Sequence, residues 1–271
     1  MRRLIAFPLA GETLLGTFDE APGGTGLLLV SGGNEIRIGA HRGMALLAQR
    51  VAAAGHPVFR FDRRGIGDST GENRGYASSA DDIAAAAAAF RAESGVSRII
   101  AYGNCDAATA LAFYHREAGI DGLILANPWA VEPTDALPPA AAIRARYAEK
   151  LRDPNTWLRA LRGGLDFGQF AKGLRKAARR PSQAPEDLAI RLAAALAATE
   201  APVTVLLAAR DNTALAFADA WKRPAFDTAR TRATLHTLDS ASHSFASAAD
   251  KDWLFARVTE ALAADPAIPL D

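Results

Sequence analysis

Residues 26–30 (GLLLV), 122–125 (GLIL) and 202–208 (PVTVLLA) are apolar at nearly every position. Runs of this kind suit strands covered on both faces, the situation of a parallel sheet with crossover helices packed on it. Helical patterns separate them. Residues 41–54 space Met44, Leu47, Ala48 and Val51 along one face and stop at Gly55, and the alanine-rich residues 81–94 follow Ser78 and Ser79 and stop at Gly95. This alternation predicts an α/β fold built on a mostly parallel sheet flanked by helices. Residues 4–9 and 13–18 around Ala10-Gly11-Glu12 predict an opening hairpin. Residues 56–61 and 234–238 predict further strands, 214–222 a helix and 252–263 a closing amphipathic helix. The charged start Met1-Arg2-Arg3 precedes an apolar stretch that is short and broken by Pro8, so it reads as a strand, not a signal peptide.

From residue 138 to 199 the rhythm breaks. Helical segments are expected at 140–151, 156–162, 167–178 and 186–198, with no convincing strand. The pattern predicts a helical lid, 131–199, inserted into a core made of 1–130 and 200–271. Its Arg and Lys residues read as a solvated surface.

With 271 residues, 49% hydrophobic and 23% charged, the chain is long enough to bury a full core. A net charge of +1 gives no reason to expect a nucleic acid or an anionic membrane as partner. No apolar run approaches the roughly 18 residues needed to span a bilayer, so no membrane span is expected. The single cysteine excludes a disulfide framework and a cysteine-rich zinc site. The expectation is a soluble, cytoplasmic protein without metal or cofactor, whose oligomeric state the sequence does not reveal.

That cysteine sits where chemistry would be expected. Residues 99–102 form an apolar run, Gly103-Asn104-Cys105-Asp106-Ala107 turns sharply, and residues 107–115 read as a helix. Small residues two before and two after Cys105 let the chain make the strained turn that lifts one side chain off a sheet. In open parallel sheets, sites form beyond the carboxyl ends of strands. The polar strand ends here are Gly32-Gly33-Asn34, Cys105 and Asp211, with His243 in the last loop before the final helix. Their chain order is nucleophile, acid, histidine.

The thiolate of Cys105 is the attacking form of a cysteine, His243 the candidate base and Asp211 the group that fixes the imidazole tautomer. His41, at the start of a helix near residues 32–34, is the alternative base. The Asp106 N–H at the helix start is one candidate oxyanion donor, with Gly33 or Asn34 supplying the second. Glu35, Arg37, His41, Arg64 and Trp129 are the candidate substrate contacts. The segment Asp62-Arg63-Arg64-Gly65-Ile66-Gly67-Asp68-Ser69 lacks the Gly-Lys-Ser/Thr ending of a phosphate loop and reads as a structural turn, with Arg64 a candidate contact for an anionic substrate. No His or Cys spacing supports zinc.

The FDRRGIGDS stretch at 61–69, the G-x-C-x-A elbow and DSASHSF at 239–245 resemble the α/β-hydrolase superfamily over nearly the whole chain. More narrowly, RRLIAFPLAGETLLGTFDEAPG, GGNEIRIGAHR at 32–42 and the Cys-Asp elbow are similar to the hydrolases that accompany the exosortase A protein-sorting system. Cysteine in place of serine is similar to the dienelactone hydrolases. The resemblance implies an α/β-hydrolase fold with a lid, acting on a small-molecule acyl ester or thioester through an acyl-cysteine. Acyl transfer by the same intermediate and a non-catalytic ligand-binding accessory role stay open at this point. The lipase-type HGGG pattern is absent, and the carboxylate of Asp106 beside the thiol is unexplained.

Overall fold

The computed structural model describes residues 1–130 and 187–264. The helical segments expected at 140–151, 156–162 and 167–178, and with them most of the expected lid, lie outside the described residues. Eight strands form one sheet: β1 (Arg2–Leu9), β2 (Glu12–Asp19), β3 (Thr25–Val30), β4 (Val58–Phe61), β5 (Arg98–Asn104), β6 (Gly122–Ala126), β7 (Val203–Ala208) and β8 (Ala233–Leu238). Their order across the sheet is β1-β2-β4-β3-β5-β6-β7-β8. The hairpin β1-β2 turns at Ala10 and Gly11, both at positive φ (51° and 87°), and β2 pairs antiparallel with β4. All other pairings are parallel.

Helices cover both faces: α1 (Gly43–Ala53), α2 (Ala80–Ser94), α3 (Asp106–Tyr114), α4 (Asp187–Ala198), α5 (Asn212–Trp221), α6 (Asp227–Arg232) and α7 (Ala248–Ala263). The parallel strands are apolar on both sides because each side has its own core. Leu28, Val30, Ile99 and Ala101 pack toward α2 and α3, and Leu27, Leu29, Ile100 and Tyr102 pack toward α1 and α7. The period of two in a strand divides one apolar run between two cores.

Residues 187–198, expected at the end of the inserted segment, form α4, which buries Leu188, Ala189, Leu192, Ala193 and Leu196, most of them in the α2–α3 side core, beside α3 and α6. An amphipathic helix flanking a lid and one covering a sheet share the same pattern, so apolar spacing alone does not separate them. The short α6 has no counterpart in the sequence reading.

The topology matters most at β3 and β5. After β3 the chain steps to β4 on one side, then returns to place β5 on the other, so β3 and β5 are neighbours whose helices leave on opposite faces. Val30 lies opposite Gly103 in the register. The loop after β3 and the turn after β5 therefore emerge side by side at the carboxyl edge, where ligands bind in open α/β sheets.

Candidate active site

Cys105 occupies the turn between β5 and α3 at φ 61° and ψ −126°. A non-glycine residue there is strained by about 1–3 kcal/mol, and surrounding contacts must hold it. Its N–H donates to the Ala126 carbonyl (3.0 Å), and its own carbonyl accepts from Ala108 (3.2 Å) and Trp129 (3.2 Å). Gly103 makes the turn tight: a Cβ there would lie 2.8 Å from the Ala107 carbonyl carbon and oxygen.

Asp211 lies just beyond β7 and caps α5. Its Oδ2 accepts the N–H groups of Thr213 and Ala214 (both 3.0 Å) and stands 3.0 Å from His243 Nδ1. The carboxylate is thereby fixed by the start of a helix before it meets the imidazole. Burial pushes the Asp211 carboxyl up, but the hydrogen bond from His243 and those from the helix outweigh it and hold the group below its ordinary range. Burial pushes the His243 imidazole down, but hydrogen bonding to Asp211 and to the Cys105 sulphur outweighs it and raises its pKa to about 10. His243 thus meets Asp211 directly, and the Cys105 sulphur is among the groups that raise its pKa.

His243 is held by a feature that sequence reasoning missed. Its carbonyl accepts from Asn104 Nδ2 (3.1 Å) and Asn127 Nδ2 (3.0 Å). Asn127, fully buried at φ 42°, also donates to Asn104 Oδ1 (3.2 Å) and accepts the Ala208 N–H (2.9 Å). Two asparagines thus fasten the loop of the imidazole to the ends of β5, β6 and β7. The signal available was an asparagine ending each of two otherwise apolar strands.

Around the elbow the expected contacts divide. Glu35 lines a cleft of about 570 Å3, solvent at its mouth included, with Met44, Leu47, Tyr102, Phe245 and Leu254. Tyr102 is almost fully buried, and burial, then the Glu35 carboxylate, pushes its phenol well above the usual range. Trp129 is half-buried and tied to the elbow through its backbone, its carbonyl accepting from Thr109 Oγ1 (2.7 Å). His41 is exposed at φ 52° in the turn before α1, and it is His243 that meets Asp211. Arg37 and Arg64, the other candidate substrate contacts, are both paired with carboxylates. The Arg37 guanidinium pairs with Asp62 and, at 2.9 Å, with Asp68, and Arg64 Nε pairs with Asp82 at 2.5 Å. Asp62 is the hub of that turn, accepting the N–H groups of Arg37 (2.5 Å) and Asp68 (3.2 Å). A structural turn is what the missing phosphate-loop ending implied, and these pairs are its content.

The two candidates for the second oxyanion donor have different surroundings. The Gly33 N–H, aligned by the register of β3 and β5, donates to Asp106 Oδ1 at 2.6 Å. The Asn34 side chain is turned to Asn73, whose Nδ2 donates to Asn34 Oδ1 at 2.8 Å. Among the described residues no group of three or more His, Cys, Asp or Glu could hold a metal ion, and no helix is long and apolar enough to cross a membrane.

A model of the alpha/beta hydrolase family matches residues 27–257, from β3 into α7. The chain belongs to the alpha/beta hydrolase family. Among solved structures this hydrolase is similar to the esterase Pf2001 of Pyrococcus furiosus, at 14% identity and a TM-score of 0.65, covering 97% of this chain and 90% of that one. It is similar to the thioesterase domain from the curacin biosynthetic pathway, at 15% identity and a TM-score of 0.58, covering 96% and 99%. A third is the esterase RhEst1 from Rhodococcus sp. ECU1013, at 18% identity and a TM-score of 0.59, covering 97% and 98%. At these identities the likeness is one of fold. No curated protein matches the hydrolase by sequence.

The raised imidazole and lowered carboxyl make the His243–Asp211 pair a source of pH-dependent stability. The His243 part is complete below about pH 6.5 and is lost as pH rises through about 10, because the folded state binds the proton more tightly. The Asp211 part is present above its ordinary pKa of 3.8 and is lost as pH falls through the lowered folded value. The urea midpoint is therefore expected to fall from about pH 6.5 to about 10, and to fall less in His243→Gln. Parallel curves for the two proteins would contradict the ion pair.

Proposed function

We propose that this hydrolase cleaves a carboxylic ester or thioester by acyl transfer to Cys105 and then to water. The observation that carries the reading is the His243–Asp211 hydrogen bond at 3.0 Å, on an imidazole that also engages the sulphur at the strained elbow. The sulphur of the thiolate attacks the carbonyl carbon and the carbonyl electron pair moves to oxygen. The intermediate collapses, expelling the alcohol or thiol, which takes a proton from the His243 imidazolium. Water then attacks the acyl-cysteine while His243 removes its proton, and the acid departs as the thiolate re-forms. The Asp106 N–H, at the start of α3, faces the developing oxyanion with the helix dipole behind it.

A thioester intermediate suits an activated ester, lactone or thioester better than an amide. The apolar cleft beside the His243 loop supports a substrate with an apolar portion and one polar group to meet Tyr102 or Glu35. A free cysteine suits a reducing, cytoplasmic setting. The residues that resemble the exosortase A-associated hydrolases support placing the chain in that group within the family, which its gene neighbourhood would test.

The test is direct trapping. Short- and long-chain p-nitrophenyl esters and acyl thioesters are mixed with the protein, quenched in acid and read by mass spectrometry. The expected result is one acyl group on the peptide carrying Cys105, released by hydroxylamine. Turnover with the acyl group on another residue would overturn the assignment.

A further inference from the structure

In the proposed acyl chemistry Asp106 acts only through its backbone N–H, yet its side chain also reaches the loop after β3. The carboxylate takes the Gly33 N–H at 2.6 Å. The Gly33 carbonyl accepts from the guanidinium of buried Arg63, so both polar groups of this residue are engaged. Gly33 itself is at φ 54°. Next to it, a Cβ on Gly32 would lie 2.5 Å from the Asn104 carbonyl oxygen and 2.8 Å from Asp106 Oδ1, so the loop after β3 rests directly on the elbow. One residue therefore presents an N–H to an oxyanion and withholds the neighbouring N–H from it.

We propose that Asp106 is a positioning residue that holds Gly33 in the free protein, and that an acyl substrate binds by exchange, its carbonyl oxygen replacing the carboxylate on the Gly33 N–H. This rests on the proposed acyl chemistry at Cys105. A single N–H cannot give a full hydrogen bond to both oxygens. An ionised carboxylate is a stronger acceptor than a neutral ester carbonyl, so the resting contact competes with binding. The competent state is then only a fraction of the population, and the apparent substrate affinity is reduced by that fraction. No proton or electron moves in the exchange, and the carboxylate turns outward to solvent at the start of α3, where a negative charge is favoured.

Asp106→Ala and Asp106→Asn test this with p-nitrophenyl acetate. If the free protein holds the contact in about nine molecules of ten, Asp106→Ala raises kcat/KM by about tenfold, with the gain in KM rather than kcat. Asp106→Asn retains an uncharged oxygen acceptor and falls between. In 1H–15N spectra the Gly33 amide proton moves upfield in both variants, reporting the lost carboxylate without requiring turnover. The nearly isosteric Asn variant keeps the test valid if the Ala variant folds poorly. A lower kcat/KM in both variants, or an unmoved Gly33 amide, would overturn the proposal. Acylation at a residue other than Cys105 would overturn the nucleophile instead, while the Gly33 amide would still decide the Asp106 contact.

Discussion

Cys105→Ala is expected to lower kcat/KM for activated esters and thioesters by about 10⁴-fold or more, because a positioned nucleophile and its base act as one unit. Residual activity would come from binding and from N–H groups aimed at the carbonyl oxygen. The effect should fall on kcat, since the cleft formed by Met44, Leu47, Tyr102, Phe245 and Leu254 does not include the sulphur. Cys105→Ser is the more informative partner. A hydroxyl reaches its attacking form only as the imidazole takes its proton, so His243 must be neutral at the moment of attack. Without the sulphur, one of the interactions that lift the His243 pKa to about 10 disappears, while the bond to Asp211 remains. The serine variant should retain weak activity that rises with pH as the imidazole loses its proton. A pH profile shared by the wild-type and Cys105→Ser proteins, or full activity in Cys105→Ala, would remove the cysteine from the mechanism.

Gly103→Ala is the second large effect, and it is one of stability. The added methyl would meet the Ala107 carbonyl carbon and oxygen at 2.8 Å and the Ala108 nitrogen at 2.9 Å. These are backbone atoms of the first turn of α3, which cannot swing aside as a side chain can. Overpacking of this kind typically costs about 1–3 kcal/mol, and a contact with backbone belongs at the upper end. The urea midpoint should fall accordingly, together with activity, because relief requires α3 to move away from β5. Gly24→Ala is the control: its methyl would stand 3.6 Å from Ser97 Oγ, an ordinary contact. Equal losses in the two variants would show that the tight approach of α3 is not what Gly103 provides.

Much of this was legible in the sequence for physical reasons. Unbroken apolar strands report burial on both faces, so the parallel sheet followed from GLLLV, GLIL and VTVLLA. Cys105, Asp211 and His243 stood out because each lies just beyond a strand, and of these His243 and Asp211 are hydrogen-bonded to each other. Other parts carried no local signal. Arg37 and Asp62 are 25 residues apart, and nothing near either shows that the two pair. Asn127 and His243 are 116 residues apart, and a buried asparagine looks in sequence like any polar strand end. The Asp106–Gly33 contact depends on β3 and β5 being neighbours in register, a property of the whole sheet. Helix α4 was legible as a helix, but an apolar stripe does not name the surface it covers.

The paired asparagines beneath His243 imply a division of mechanical labour. The imidazole is carried by a loop, normally the most compliant part of a domain, but its peptide is anchored to the ends of three central strands. The sulphur is mounted on one of those same strands. The position of the ring relative to the end of β5 is then set by the sheet rather than by the stiffness of the loop. A grafted or lengthened loop between β8 and α7 would keep its reactive geometry only if its histidine carbonyl still reached both amides, which makes Asn104 and Asn127 the residues to preserve when this scaffold is rebuilt.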